Sequence, residues 1–271
     1  MTEFSVLMSI YYKEVPSNFR ESLDSIIAQS YKPSEIILVE DGPLTKDLYA
    51  VIEEYKKELY NLITVPLEKN SGLGIALNKG LKHCHYNIIA RMDTDDISMP
   101  NRFEEEIKYL DTHPDIDVVS AWVEEFHDKR FLNDTIKKLP ETQDEIYSYG
   151  KKRNPVNHPV VMFRKEAVLK AGGYKPFPLF EDYYLWVRIL MNGGRFYNIQ
   201  HPLLYFRRTI DMIRRRGGQS YAKKEIAFQR EIYKIGYINL FQMLSNIFIR
   251  TCIRIMPLNF RGLVYRKLLR F

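Results

Sequence analysis

Three carboxylates fall within four residues at Asp93-Thr94-Asp95-Asp96, directly after the largely apolar run Ile88-Ile89-Ala90-Arg91-Met92. Such a run reads as a buried strand that delivers the acids to its C-terminal end, and ligands of open α/β sheets collect at that end. Carboxylates this close repel one another unless a cation or a proton compensates them. Hard oxygen donors one residue apart suit Mg2+ or Mn2+, which keeps several waters and completes its shell with substrate phosphates. The pattern is short, and spacing alone leaves a solvated acidic loop as the alternative. A second acidic pair, Glu181-Asp182, heads a stretch whose Leu185, Ile189 and Leu190 repeat at helical spacing. Acids in a first helical turn also stabilise the macrodipole and cap free amides, so this pair has a purely structural reading too.

The remaining periodicity defines the elements that must hold these acids. Phe4 to Ile10 predicts a first strand, running into Ser9-Ile10-Tyr11-Tyr12-Lys13. Phe19, Leu23, Ile26 and Ile27 then predict an amphipathic helix that Pro33 stops. Glu35 to Val39 predicts a second strand ending on Glu40-Asp41, with Gly42-Pro43 as a turn. A helix near Lys46 to Lys57 and a strand near Leu62 to Val65 follow. Asn70-Ser71-Gly72-Leu73-Gly74 opens the helix that carries Ala76, Leu77, Leu81 and Cys84, and its glycines allow a close backbone approach. Pro100 suits the first turn of a helix reaching about Leu110. Strands alternating with helices in this way predict an α/β domain with a mostly parallel sheet. Three of its strands end in polar or acidic residues that point into one crevice, the expected nucleotide site. Further on, Asp117 to Phe126 and Val160 to Phe163 read as strands, and the polar segment 129–150 has no clear assignment. His158 precedes a proline without ligand-type spacing, which favours a structural or supporting role over metal or acceptor contact.

With 271 residues, 45% of them hydrophobic and 27% charged, the chain can build a sizeable core as one α/β domain with or without an appendage. Cys84 and Cys252 lie too far apart to suggest a disulfide framework or a zinc site, which fits a reducing compartment. No secretory signal is visible at Met1-Thr2-Glu3-Phe4-Ser5-Val6, and a cytoplasmic location is expected. The net charge of +6 hides a division. Residues 1–202 hold 25 Lys and Arg against 31 Asp and Glu, whereas residues 203–271 hold 15 against 3. A basic block of this kind meets nucleic acid, anionic lipid or a phosphorylated substrate. No DNA- or RNA-binding module accompanies it, which argues against a nucleic-acid partner.

Taken in order, Ser5 to Tyr11, Ser22 to Tyr31, Ile36 to Gly42, Gly74 to Gly80 with Asn78, Asp93-Thr94-Asp95-Asp96 and Glu181-Asp182 closely resemble glycosyltransferase family 2, in its exopolysaccharide branch typified by amylovoran biosynthesis. The resemblance implies an inverting enzyme of GT-A, Rossmann-like fold over residues 1–210, with a nucleotide-binding half to about 115 and an acceptor half from about 116. Residues 211–271 then form a basic helical extension. The resemblance further implies that Ser9, Tyr11, Lys13 and Asp41 hold the uracil and ribose of a UDP-sugar. It makes Asp95 the direct ligand of Mn2+ or Mg2+, directs Asp93 to ribose or metal, leaves Asp96 auxiliary, and makes Asp182 the catalytic base. Glu40-Asp41 replaces the usual aspartate pair. The arginine-rich stretch Phe206-Arg207-Arg208 through Arg214-Arg215-Arg216 stands where the family carries arginine and histidine, and arginine forks suit the diphosphate of donor or lipid acceptor. Absence of Gln-x-x-Arg-Trp favours addition of one sugar over processive synthesis. A nucleotidyltransferase-like nucleotide-sugar enzyme is the nearest rival, but Ile10 to Ser17 lacks its glycine-rich, basic phosphate loop.

Residues 238–256 are apolar but interrupted by Arg250 and Arg254, too short a clean run for a spanning helix. Leu240, Met243, Leu244, Ile247 and Phe248, with arginines further along, predict amphipathic basic helices lying on an anionic membrane, where each cation contributes about 1 kcal/mol. Packing on the catalytic domain is the alternative. The membrane reading makes the enzyme peripheral on the inner face of the cell membrane, beside a lipid-linked saccharide acceptor.

Overall fold

In the computed structural model, which describes residues 2–126, 135–209 and 217–255, strands β1 (Phe4–Ile10), β2 (Glu35–Glu40) and β4 (Ile88–Arg91) are buried on both faces. Alternate residues therefore feed two separate cores, as the two-residue strand period demands. Phe4, Val6, Met8, Ile36 and Leu38 pack under helices α1 (Pro16–Ile27), α2 (Lys46–Glu58) and α4 (Arg102–Thr112). Leu7, Ile37, Val39 and Ile89 face α3 (Leu73–His83) and α7 (Glu181–Met191) on the other side. Close contact with α3 depends on Gly80: a Cβ there would lie 2.4 Å from Leu7 Cδ1 and 2.7 Å from Val39 Cγ2.

The sheet runs β3-β2-β1-β4-β8-β6-β9-β5, with β3 at Leu62–Pro66, β5 at Ile97–Ser98, β6 at Val118–Phe126, β8 at Met162–Arg164 and β9 at Phe196–Arg207. A short β7 (Thr135–Lys137) hangs on β6. The nucleotide-side strands pair in parallel, as does the long β6–β9 pair, while β8 joins the two halves by antiparallel pairings. The segment 129–150 resolves, in its described part, into β7 and helix α5 (Gln143–Gly150), which Thr142 and Glu145 cap reciprocally. The strand expected from Val160 starts later: His158–Val160 is a single 3-10 turn, because Pro159 has no N–H to give a ladder.

Beneath the acidic loop lies a fully buried ion pair. Arg102 donates to the Arg91 carbonyl (2.7 Å), to Ser98 Oγ (3.0 Å) and to Glu106 Oε2 (3.2 Å), tying α4 to the ends of β4 and β5. Burial pushes Glu106 up to about 7. Removing one partner of such a pair strands the other. Arg102→Ala is expected to lose about 3–5 kcal/mol in urea unfolding, whereas Arg102→Met combined with Glu106→Leu recovers most of that. Equal losses in both would show that the pair does not act as a unit.

The described helices of the basic extension pack on the catalytic core. Helix α8 (Gly218–Lys234) buries Phe228 and Ile232 in the same core as α7, and Phe228 stacks on Phe180 at 4.9 Å. Helix α9 (Leu240–Ile255) lies on α8. Arg250 and Arg254 turn inward and share Glu225 of α8, while Phe241, Leu244, Phe248 and Ile249 are exposed. Packing on the catalytic domain thus describes the inner face of this segment, where Arg250 and Arg254 are committed to Glu225, while the apolar residues expected to meet the membrane, Leu240, Leu244 and Phe248, stay exposed. Arg214 to Arg216, and the tail cations Arg261, Arg266, Lys267 and Arg270, lie outside the described residues.

Candidate active site

The loop Asp93–Asp96 is held from three directions. Ser22 of α1 donates to the Asp93 carbonyl at 3.0 Å, Thr94 Oγ1 donates to Glu14 Oε2 at 2.6 Å, and the Arg207 amide of β9 donates to Asp96 Oδ1 at 2.7 Å. Arg207 also reaches the Asp95 carbonyl (2.8 Å) and Glu21. It therefore anchors the loop, and Arg208 pairs with Glu125 at 3.3 Å. These two arginines do not have the free forks that the arginine-rich stretch led one to expect.

Electrostatically the loop is under-compensated. Burial pushes Asp95 up to about 7, with Asp93 and Glu14 adding to the rise. Asp96, fully buried, is raised well above its ordinary value, first by burial and then by Asp95 and Asp93, and its Oδ2 has no partner among the described residues. Glu14 is raised as well, chiefly by burial. Opposing them is Arg91, completely buried at the end of β4 and paired with Asp93 Oδ1. A hard divalent cation fits such a donor set, since it takes one or two carboxylates and leaves the rest of its shell to water and substrate phosphate. No group of three or more metal-ligand side chains occurs among the described residues. The fit is thus to an ion shared with substrate and not to a closed protein cage.

Asp41, at the end of β2, accepts from the amides of Ser71 (2.6 Å) and Gly72 (3.0 Å). Both its oxygens therefore hold the loop that opens α3. That loop comes so close that a Cβ on Gly42 would sit 2.5 Å from the Asn70 nitrogen, and Gly42 has φ +87°. Ser9 and Tyr11 are half-buried at the end of β1, next to exposed Lys13, whose Nζ lies 5.5 Å from the Tyr12 ring centre.

Asp182 occupies the second position of α7. Its Oδ2 accepts from Asn154 Nδ2 at 2.7 Å, which fixes the side chain beyond a first-turn role. Tyr174 connects the two acidic groups. Burial raises its phenol, and both Asp182 and Asp93 lie near enough to raise it further. Asn78 of α3 holds the Tyr174 backbone through its amide N–H (2.8 Å) and carbonyl (2.5 Å), and the phenol pairs with His158 Nε2 at 3.0 Å. His158 itself is buried, with a pKa far below the ordinary value because of burial and then Arg91. A neutral histidine bonded to tyrosine is the supporting role expected for it.

Asp93, at the end of β4, and Asp182, at the start of α7, both act electrostatically on the buried Tyr174 phenol. Glu14, Asn154 and Tyr174 escaped sequence reasoning because their partners lie far away along the chain, and Arg207, read there as a diphosphate ligand, was not foreseen as an anchor of the acidic loop. Arg91 did leave a signal, a charged residue inside an otherwise apolar strand.

An α/β sheet with an acidic loop at the end of a central parallel strand, and a second acidic pair at the start of a neighbouring helix, fits a group-transfer enzyme. The chain belongs to glycosyl transferase family 2, whose model matches residues 5–172. It is 40% identical to a UDP-Gal:alpha-D-GlcNAc-diphosphoundecaprenol beta-1,3-galactosyltransferase of Escherichia coli, over 99% of this chain and 97% of that enzyme. It is 39% identical to the amylovoran biosynthesis glycosyltransferase AmsE of Erwinia amylovora, over 97% of this chain and 98% of that one. Its fold matches S. aureus TarS 1-349 in complex with UDP-GlcNAc with a TM-score of 0.68 at 17% identity, covering 98% of this chain and 76% of the other. The protein is a glycosyltransferase of GT-A architecture.

Proposed function

We propose that this enzyme moves one sugar from a UDP-sugar to a saccharide carried on a lipid diphosphate, inverting the anomeric configuration, in the assembly of a bacterial surface polysaccharide. The observation that carries the reading is the under-compensated acidic loop at the end of β4, together with Asp182 held in place by Asn154 at the start of α7. The extent and level of identity to a galactosyltransferase acting on a diphosphoundecaprenol-linked GlcNAc supports the acceptor class.

In this mechanism Ser9, Tyr11, Lys13 and Asp41 line the donor nucleotide's seat at the ends of β1 and β2. Asp95, helped by Asp93, would hold Mn2+ or Mg2+, which supplies charge compensation for the departing diphosphate. Asp182 takes the proton of the acceptor hydroxyl as its oxygen bonds to the anomeric carbon. The bond from that carbon to the β-phosphate oxygen breaks with its electron pair going to UDP. Asn154 keeps the receiving carboxylate aimed, and attack opposite the leaving group inverts the centre. Such an acceptor requires work at a lipid surface on the cytoplasmic side. Among the described residues no helix is long and apolar enough to cross a membrane, so attachment would be peripheral.

The test is a panel of UDP-sugars with Mn2+, each offered with and without a lipid-diphosphate-linked GlcNAc. One donor should be slowly hydrolysed alone and transferred rapidly with acceptor. Transfer from no nucleotide sugar, or equal use of GDP- and UDP-donors, would overturn the reading.

A further inference from the structure

The sixteen-residue helix α9 has one half turned to the protein and one half exposed among the described residues. Its inner side carries Asn246, which donates to Lys151 and Gln229, and Arg250 and Arg254, which both bind Glu225. Its outer side carries Leu240, Phe241, Leu244, Phe248, Ile249 and Cys252, with Phe241 79% and Phe248 70% exposed. Positions 240, 241, 244, 248, 249 and 252 share a single helical face. Two nearly naked phenylalanines among aliphatic neighbours form the sort of contiguous apolar surface that marks a contact site.

We propose that this face of α9 lies in the boundary layer of a lipid bilayer and holds the enzyme there by apolar insertion, with Phe241, Leu244 and Phe248 as the inserted side chains. Choosing lipid over protein rests in part on the lipid-linked acceptor proposed above; two further observations favour it. Residues 256–271, which follow the helix directly, contain Arg261, Arg266, Lys267 and Arg270 and no acidic residue. That positive charge suits anionic headgroups better than a second copy of the chain, which carries the same charge. The helix is also coupled to the catalytic side of the molecule. Arg250 binds the Lys152 carbonyl, and two residues further along Asn154 binds Asp182. A membrane under α9 therefore lies next to the chain segment that orients the base, where a lipid-borne hydroxyl must arrive. Because the helix arginines are spent on Glu225, the contact made by α9 depends on apolar burial more than on charge.

Cys252 makes the idea directly measurable. It is exposed on the outer face, while Cys84 is buried with its thiol pushed up to about 12 by burial, so a polarity-sensitive maleimide dye goes to Cys252. The labelled full chain is mixed with vesicles of phosphatidylcholine, with and without phosphatidylglycerol, at low and high salt. A blue shift with co-sedimentation on both vesicle types, largely retained in high salt, is expected. Combining Phe241→Ser, Leu244→Ser and Phe248→Ser should lower vesicle partitioning at least about tenfold and leave UDP-sugar hydrolysis unchanged. That hydrolysis, followed in the same samples, reports on the catalytic reading independently. The proposal falls if vesicles leave the dye unchanged, or if salt abolishes binding that the triple variant keeps. It also falls if the dye is already shielded in a dimer without lipid, which would make a second copy the occupant.

Discussion

Asp182→Asn is expected to lower kcat by about 10²–10⁴-fold while leaving UDP binding in calorimetry unchanged. The amide has the same shape and can still pair with Asn154 after a flip, so neither the start of α7 nor its packing on Phe228 should change. What it cannot do is accept the acceptor's proton. The separation of kcat from donor affinity distinguishes a base from a helix-capping acid, whose loss would appear as lowered stability instead. Wild-type turnover in the variant would remove Asp182 from the mechanism, and the assignment of the acceptor side with it.

The second large effect is expected at Asp95. Asp95→Asn should reduce kcat/KM by about 10²–10³-fold and abolish the rise in Tm that Mn2+ with UDP produces in the wild type. The cluster of Glu14, Asp93, Asp95 and Asp96 has Arg91 within it, and the pKa values of Glu14, Asp95 and Asp96 record the missing compensation. This has a pH signature. Asp95 at about 7 in the folded chain, against an ordinary 3.8, binds its proton more tightly than the unfolded chain does. Its contribution to stability is therefore complete at low pH and is lost as pH rises through about 7. Metal-free wild type should show a Tm that falls between about pH 4 and pH 7 and levels off above it, restored by Mn2+, and Asp95→Asn should flatten that fall. A variant with the wild-type pH profile and Mn2+ response would exclude Asp95 as the ligand.

Glu40 and Asp41 illustrate how one short stretch yields to sequence and another does not. Their position after an apolar strand announces a strand end, and the structure puts both at the end of β2, buried. That Asp41 spends both oxygens on the amides of Ser71 and Gly72 could not be read, because thirty residues separate the partners and only the packing of α3 on β1 and β2 brings them together. The arginines teach the same lesson more sharply. Arg207, Arg208, Arg250 and Arg254 read as available charge, yet each has a carboxylate partner in the fold: Glu21, Glu125 and, twice, Glu225. Net charge counted along a chain says nothing about which charges remain uncompensated.

The sequence by itself determined the alternation of strands and helices, the delivery of three acids to the end of β4, and the family. These follow from local periodicity and from motifs whose order survives in one dimension. Only the tertiary structure decided that Glu14 and Arg91 belong to the acidic loop, that Asn154 aims Asp182, and that α9 turns its cations inward and its phenylalanines out. Each of those depends on contacts between residues up to 80 positions apart along the chain, or on which half of a helix finds a neighbour. Both are settled by how layers pack, since a helix periodic in apolar and basic residues can bury either stripe until a partner such as Glu225 selects one.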